Sequence, residues 1–125
     1  MTTKTRNIIN WVLTGLVGFI FIGSAISKLT ANAEALKMAE GFGLDANNYM
    51  LLGIVEITAI ILFLIPRTAI IGTLLLAAYM GGAIATHLEH AQPLAAPIAI
   101  ATFVWIVAFV RIPELSQRVL GKKQA

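Results

Sequence analysis

Glu56 is the residue with the clearest chemical demand. It sits inside an apolar run from Tyr49 to Ile65 that holds no other charge. A carboxylate surrounded by hydrocarbon costs a few kcal/mol or more, so it must face an interior, be protonated, or meet a partner. Gly53 and Ala59 lie three residues to either side, and their small size makes that face suited to packing inward. The candidate cation is Lys28, which ends the apolar run beginning at Ile8. At 1.5 Å per helical residue, Glu56 lies roughly 10–14 Å below the face where Lys28 ends its span. A lysine stem closes only part of that gap. Contact therefore requires a deeper Lys28 or a bridging water, and the simpler alternative is a lysine that snorkels to headgroups.

Three further types of residue share the same half of the sequence pattern. His87, Glu89 and His90 form His-Leu-Glu-His at the end of the third apolar run. Histidines three apart share a helix face and can chelate a metal. Two ligands are too few and no third is evident, so His87 and His90 are only weak metal candidates and no metal is assigned. A His87 that orients a small ligand or relays a proton fits better; the plain alternative is a hydrogen-bonded interfacial histidine. Tyr79 falls near the depth of Glu56 and can hydrogen-bond it. Ser24 and Ser27 share a turn with Lys28 and can add polar contacts. Lys28, Glu56, Tyr79 and His87 are thus the candidate ligand or proton site. There is no phosphate loop, no nucleotide fingerprint and no hydrolase triad, so no catalytic residue is assigned and catalysis by this chain alone is not expected. The absence of cysteine excludes disulfides, thiolate metal sites and thiol catalysis.

The elements that hold these residues follow from hydropathy. Hydrophobic residues make up 58% of the chain and charged residues 12%, too few to cover a small soluble domain with polar surface. Spanning a bilayer takes about 20 apolar residues. Four stretches come close, at about residues 8–27, 49–65, 68–87 and 94–111. The fold expected is all-α, a four-transmembrane-helix bundle in antiparallel up-down order, with residues 1–125 as one membrane domain. Pro66-Arg67 makes the tight turn between the second and third spans, and Arg111 and Pro113 end the fourth. Ala31-Asn32-Ala33 mimics a signal-cleavage site, but the apolar run before it exceeds a usual signal core.

Lysine and arginine set the orientation. Lys4, Arg6, Arg67, Arg111, Arg118, Lys122 and Lys123 fall on one side, Lys28 and Lys37 on the other. The basic side is expected to be cytoplasmic, with both termini inside the cell membrane and residues 112–125 as a basic tail against anionic lipid. The basic residues form no nucleic-acid stripe, so nucleic acid is not an expected partner. In the external loop, residues 29–48, Leu36, Ala39 and Phe42 recur at helical spacing; an amphipathic surface helix and an ordinary loop both fit. Trp11 and Trp105 suit the interfacial belt or the lipid face. Ala77/Gly81, Ala78/Gly82 and Gly81/Ala85 are small-xxx-small pairs, which predict a tight interface along the outer half of the third span, within the chain rather than at a dimer seam. Such residues also occur where a ligand approaches a helix backbone.

Several motifs together resemble the DoxX-like membrane proteins. They are Gly18-Phe19-Ile20-Phe21-Ile22-Gly23 leading to Ser27-Lys28-Leu29, then Gly53-Ile54-Val55-Glu56, Pro66-Arg67-Thr68-Ala69, and Met80-Gly81-Gly82-Ala83-Ile84-Ala85-Thr86-His87. Their order matches over nearly the whole chain. The resemblance implies an association with membrane redox systems, since the founding member is associated with a thiosulfate:quinone oxidoreductase and relatives are linked to oxidative-stress complexes. It also places the family's lysine, glutamate and histidine on Lys28, Glu56 and His87. The sulfur chemistry does not carry over to a chain without cysteine. The function expected is an accessory or ligand-binding subunit that holds a quinone-like or hydrophobic molecule, with a membrane oxidoreductase or further copies of itself as partners. The alternatives are a structural or assembly protein without ligand and a small proton-coupled transporter.

Overall fold

The computed structural model describes residues 2–121, and every regular element among them is helical. In chain order they are α1 (Thr3–Thr30), α2 (Ala33–Gly41), α3 (Ala46–Leu64), a 3₁₀ turn (Pro66–Thr68), α4 (Ala69–Glu89), α5 (Ala95–Arg111) and α6 (Pro113–Val119). The starts of the first three helices are set by side-chain caps. Thr2 accepts from the Thr5 amide, Asn32 from Ala35 and Asp45 from Asn48, each satisfying one of the orphan donors of a helix N-terminus. Ala31, in the left-handed region at φ 49°, ends α1. Pro66 ends α3 by holding Ile65 extended.

Helices α1, α3 and the stretch Pro66–Glu89 are each long and apolar enough to cross a membrane. The fourth predicted span is less simple. Helix α5 has 17 residues, about 26 Å of helix against a hydrocarbon core of about 30 Å. It reaches span length only together with α6, from which it is bent by 107° at Pro113. Among the described residues there are therefore three such helices, or four with the bent pair. The bend turns the tail expected at residues 112–125 into a short helix running across the end of the bundle; Lys122 and Lys123 lie outside the described residues. The region expected as external loop is also ordered. It contains α2, and α3 begins within it.

Helix α1 packs on α3 and α5, and α4 packs on the same two, which closes a ring. Gly53 faces Ala25 and Lys28 while Gly18 faces Leu64, so α1 and α3 run in opposite directions. Val17, Phe21, Ile60, Phe63, Leu76, Val104 and Val107 fill the centre. Trp11, Phe19, Leu51 and Leu74 point outward, Trp11 with 77% of its surface exposed; exposed apolar side chains in this number mark a surface made for lipid.

The expected tight seam on the outer half of α4 does not form within the chain. A Cβ at Gly81 or Gly82 would meet no atom within 4 Å. The close approach is instead at Gly72, where a Cβ would lie 2.1 Å from the Phe63 nitrogen. The crossing is forced by the short Pro66–Thr68 turn, which leaves α4 no room to diverge from α3. That turn also explains Arg111. The last four carbonyls of a helix lack internal donors. At the end of α3, Ile61 accepts from the Ile65 amide and Leu62 from the Thr68 hydroxyl at 2.8 Å. Phe63 and Leu64 accept from the two terminal nitrogens of Arg111, whose guanidinium also lies 5.1 Å from the Phe63 ring centroid.

Candidate functional site

Ser24 and Lys28 stand one turn apart on α1 and share a face. Opposite them, Gly53 lets α3 come so close that an added Cβ would sit 2.9 Å from Lys28 Cβ and 3.3 Å from the Ala25 carbonyl oxygen. This contact sets the depth of the lysine. Lys28 Cβ is level with Gly53, only about one turn above Glu56, and its stem covers the remainder. Lys28 Nζ donates to Glu56 Oε1 at 3.0 Å and to Ser24 Oγ at 2.6 Å, and Ser24 Oγ donates to the same Oε1 at 3.1 Å. Glu56 is 2% exposed and Lys28 9%.

The expected 10–14 Å separation is thereby corrected. It assumed that Lys28 and the start of α3 lie at the same level. In the structure α3 extends beyond the end of α1 into the layer occupied by α2, so residues counted from the start of α3 overstate the depth of Glu56 relative to Lys28. Snorkelling is ruled out for the same reason. A buried ion pair survives only if its hydrogen bonds are well made, and the triangle with Ser24 supplies them.

Aromatic rings enclose the ammonium. It lies 5.4 Å from the Tyr49 centroid and 5.8 Å from that of Tyr79, within the range of cation–π attraction. Tyr79 also packs edge-on against Phe21. Lys28, Glu56 and Tyr79 thus come together. Ser27 does not join them and instead accepts from Asn32 at the end of α1.

Above this cluster lies a cavity of about 590 Å³, walled by α1, α3, α4, the first turns of α5, and α2 as its cover. Its size falls in the range of about 300–1,000 Å³ typical of small-molecule sites. The lining is mostly apolar, with Lys28, Glu56, Ser24, Tyr49, Tyr79, Thr86 and His87 as its polar members. Ala78 and Gly82 line it too. Ala78 and Gly82 therefore border an open space rather than a helix seam.

His87 lines the same cavity two turns beyond Tyr79, about 12 Å further along α4. It is not part of the ion-pair cluster. Its Nδ1 lies 2.6 Å from the Ala83 carbonyl oxygen, and its ring sits against Phe42 with centroids 4.6 Å apart. A second, shallower cleft lies on the far side of that ring pair and shares Met38, Phe42, His87 and Ala96 with the cavity. His90 bonds back to the Thr86 carbonyl and lies against Gly43. Among the described residues, no three histidine, cysteine, aspartate or glutamate side chains gather as a metal site would require.

The residues that sequence reasoning missed are those of α2. Met38 and Phe42, one turn apart, reach over the cavity, while Ala35 and Ala39 pack on Tyr49. The expected apolar stripe of Leu36, Ala39 and Phe42 is only partly the buried one, since Leu36 is exposed. The signal was the alanine pair Ala35/Ala39, four apart, which marks close packing on protein rather than insertion into headgroups. Neither a curated protein nor a solved structure matches this chain. The sequence does match the model of the DoxX-like family over residues 12–110, a stretch that includes Lys28, Glu56, Tyr79 and His87, and the chain belongs to that family.

Proposed function

We propose that this DoxX-like membrane protein binds a small hydrophobic, quinone-like molecule in the cavity above Lys28 and Glu56, as an accessory subunit of a membrane redox system. The observation that carries this reading is the cavity itself: an apolar space of about 590 Å³ with a few polar groups converging at defined points. That combination is what a ligand site requires, since apolar walls supply affinity and sparse polar groups supply orientation. The chain performs no chemistry alone; a membrane oxidoreductase would use the molecule it holds.

The test is thermal stability in lipid nanodiscs across a series of quinones. Binding raises the melting temperature by mass action. Glu56→Ala removes the shift by removing the polar anchor. Gly82→Leu removes it by filling the space without touching the ion pair. If no member of the series shifts the wild-type protein, the reading fails.

A structural role has its own supporting observation, because Lys28, Ser24 and Glu56 satisfy one another and tie α1 to α3. It is favoured if Glu56→Gln lowers stability while activity of the partner system is unchanged. For orientation, Lys4, Arg6, Arg67, Arg111 and Arg118 lie toward the end where α1 begins and α5 terminates. At the opposite end Lys28 is buried in its pair, which leaves Lys37. This supports cytoplasmic termini in the plasma membrane. As the chain has no cysteine, Arg118→Cys gives a single thiol, expected to react with a membrane-impermeant reagent only after cells are opened.

A further inference from the structure

We infer that the molecule taken by this cavity is a hydrogen-bond donor, an apolar compound bearing a hydroxyl group, so that of a hydroquinone and its quinone the reduced form is the one held. The inference rests on the ligand-binding reading above and names its substrate class.

The argument begins with His87. Nδ1 lies 2.6 Å from the Ala83 carbonyl oxygen. A carbonyl oxygen can only accept, so Nδ1 carries the proton. In the neutral ring Nε2 is then a bare lone pair, an acceptor. Among the described residues no donor reaches Nε2. The adjacent hydroxyl that might have offered a proton to a ligand is already engaged, since Thr86 Oγ1 donates to the Gly82 carbonyl at 2.9 Å. His87 lines both the cavity and the adjoining cleft, so Nε2 offers an acceptor at that end; Thr86 has no proton free beside it, and the Gln92 amide, which lines only the cleft, donates to the Gly41 carbonyl.

The deep end does not reverse this preference. The Ser24 hydroxyl proton goes to Glu56, and two of the three Lys28 protons go to Ser24 and Glu56. Lys28 and Ser24 both bond Oε1, and the Tyr79 hydroxyl is placed to donate to the same carboxylate, which leaves Oε2 with one lone pair to offer. The third Lys28 proton and the Tyr49 hydroxyl are donors there. That end accommodates a hydroxyl as donor or as acceptor, whereas a carbonyl finds only the donors. A ligand whose polar group meets His87 must bring a proton. A carbonyl or ether oxygen at that point would face a lone pair and lose its water without replacement, a loss of about tenfold in affinity for a neutral hydrogen bond.

The experiment uses the full chain in nanodiscs at pH 8. Two matched pairs are compared by thermal shift: a short-chain hydroquinone with its quinone under anaerobic conditions, and 4-nonylphenol with its methyl ether, which are not redox-active. The donor member of each pair is expected to bind about tenfold more tightly. His87→Phe should erase the preference, and His87→Gln, which keeps an acceptor, should retain most of it. Equal binding within the pairs overturns the inference while leaving the ligand site standing. A preference that survives in His87→Phe overturns the assignment to His87. No binding by any of the four compounds overturns the ligand site as well.

Discussion

The two ends of the helical bundle are built on opposite plans. Toward the Pro66 turn the interior is closed: Phe63, Leu76, Val104 and Val107 fill it, Gly72 brings two backbones into contact, and Arg111 ties off α3. Toward α2 the interior is hollow. There Gly82 borders the cavity and meets no neighbouring helix, Pro97 is the buried residue of the first turns of α5, and the space holds an ion pair. The same residue type does opposite things at the two ends. Gly72 removes distance between helices; Gly82 preserves it. The closed end and the polar cavity are thus parts of one ring of helices, the first filled by side chains and the second left open.

Substitutions test this contrast. The largest effect is expected for Gly72→Val, whose side chain would collide with Phe63 backbone that has no room to move. No monodisperse folded protein should be recovered by size-exclusion chromatography in detergent. Next is Glu56→Ala. It leaves Lys28 buried and unpaired, a loss of about 3–5 kcal/mol, read from thermal or denaturant unfolding in micelles; the double change with Lys28→Met should recover most of it. Arg111→Ala leaves the Phe63 and Leu64 carbonyls without donors and should cost about 2–3 kcal/mol. Arg111→Lys should restore only part, since a point charge does not reproduce a fork. The smallest effect is expected for Gly82→Ala, within about 0.5 kcal/mol, with a measurable loss of ligand affinity because it narrows the cavity. A large loss of stability there would show that the hollow end is packed after all.

Much of this contrast was legible in the sequence, and the rest was hidden for definite reasons. A lone carboxylate in an apolar run declares itself because its desolvation is so unfavourable, so Glu56 could be read directly, whereas Lys28 stood as a candidate cation beside the simpler reading of a snorkelling lysine. Their direct contact could not, because it depends on α1 and α3 being offset at their outer ends by the intervening α2. Glycine spacing on α4 carries no sign: the motif around Gly81 and Gly82 reads as a seam, yet only Gly72, next to a tight turn, is one. Arg111 reads as a charge that ends a span. That it caps another helix depends on which helix lies beside it, a relation that periodicity does not encode. Met38 was missed, and Phe42 was read only as part of a surface stripe, because the loop containing them offered too few residues to separate a membrane-lying helix from one folded over a cavity.

The position of Arg111 along the chain has a consequence for synthesis. It follows Phe63 by 48 residues. As the polypeptide emerges from its N-terminus, α3 and α4 are complete long before the guanidinium that closes their shared end exists. The nascent hairpin must wait with two carbonyls open until the last long helix is made. Translation that stalls before that point leaves an intermediate whose defect is at a definite place, with water in the position the guanidinium will take.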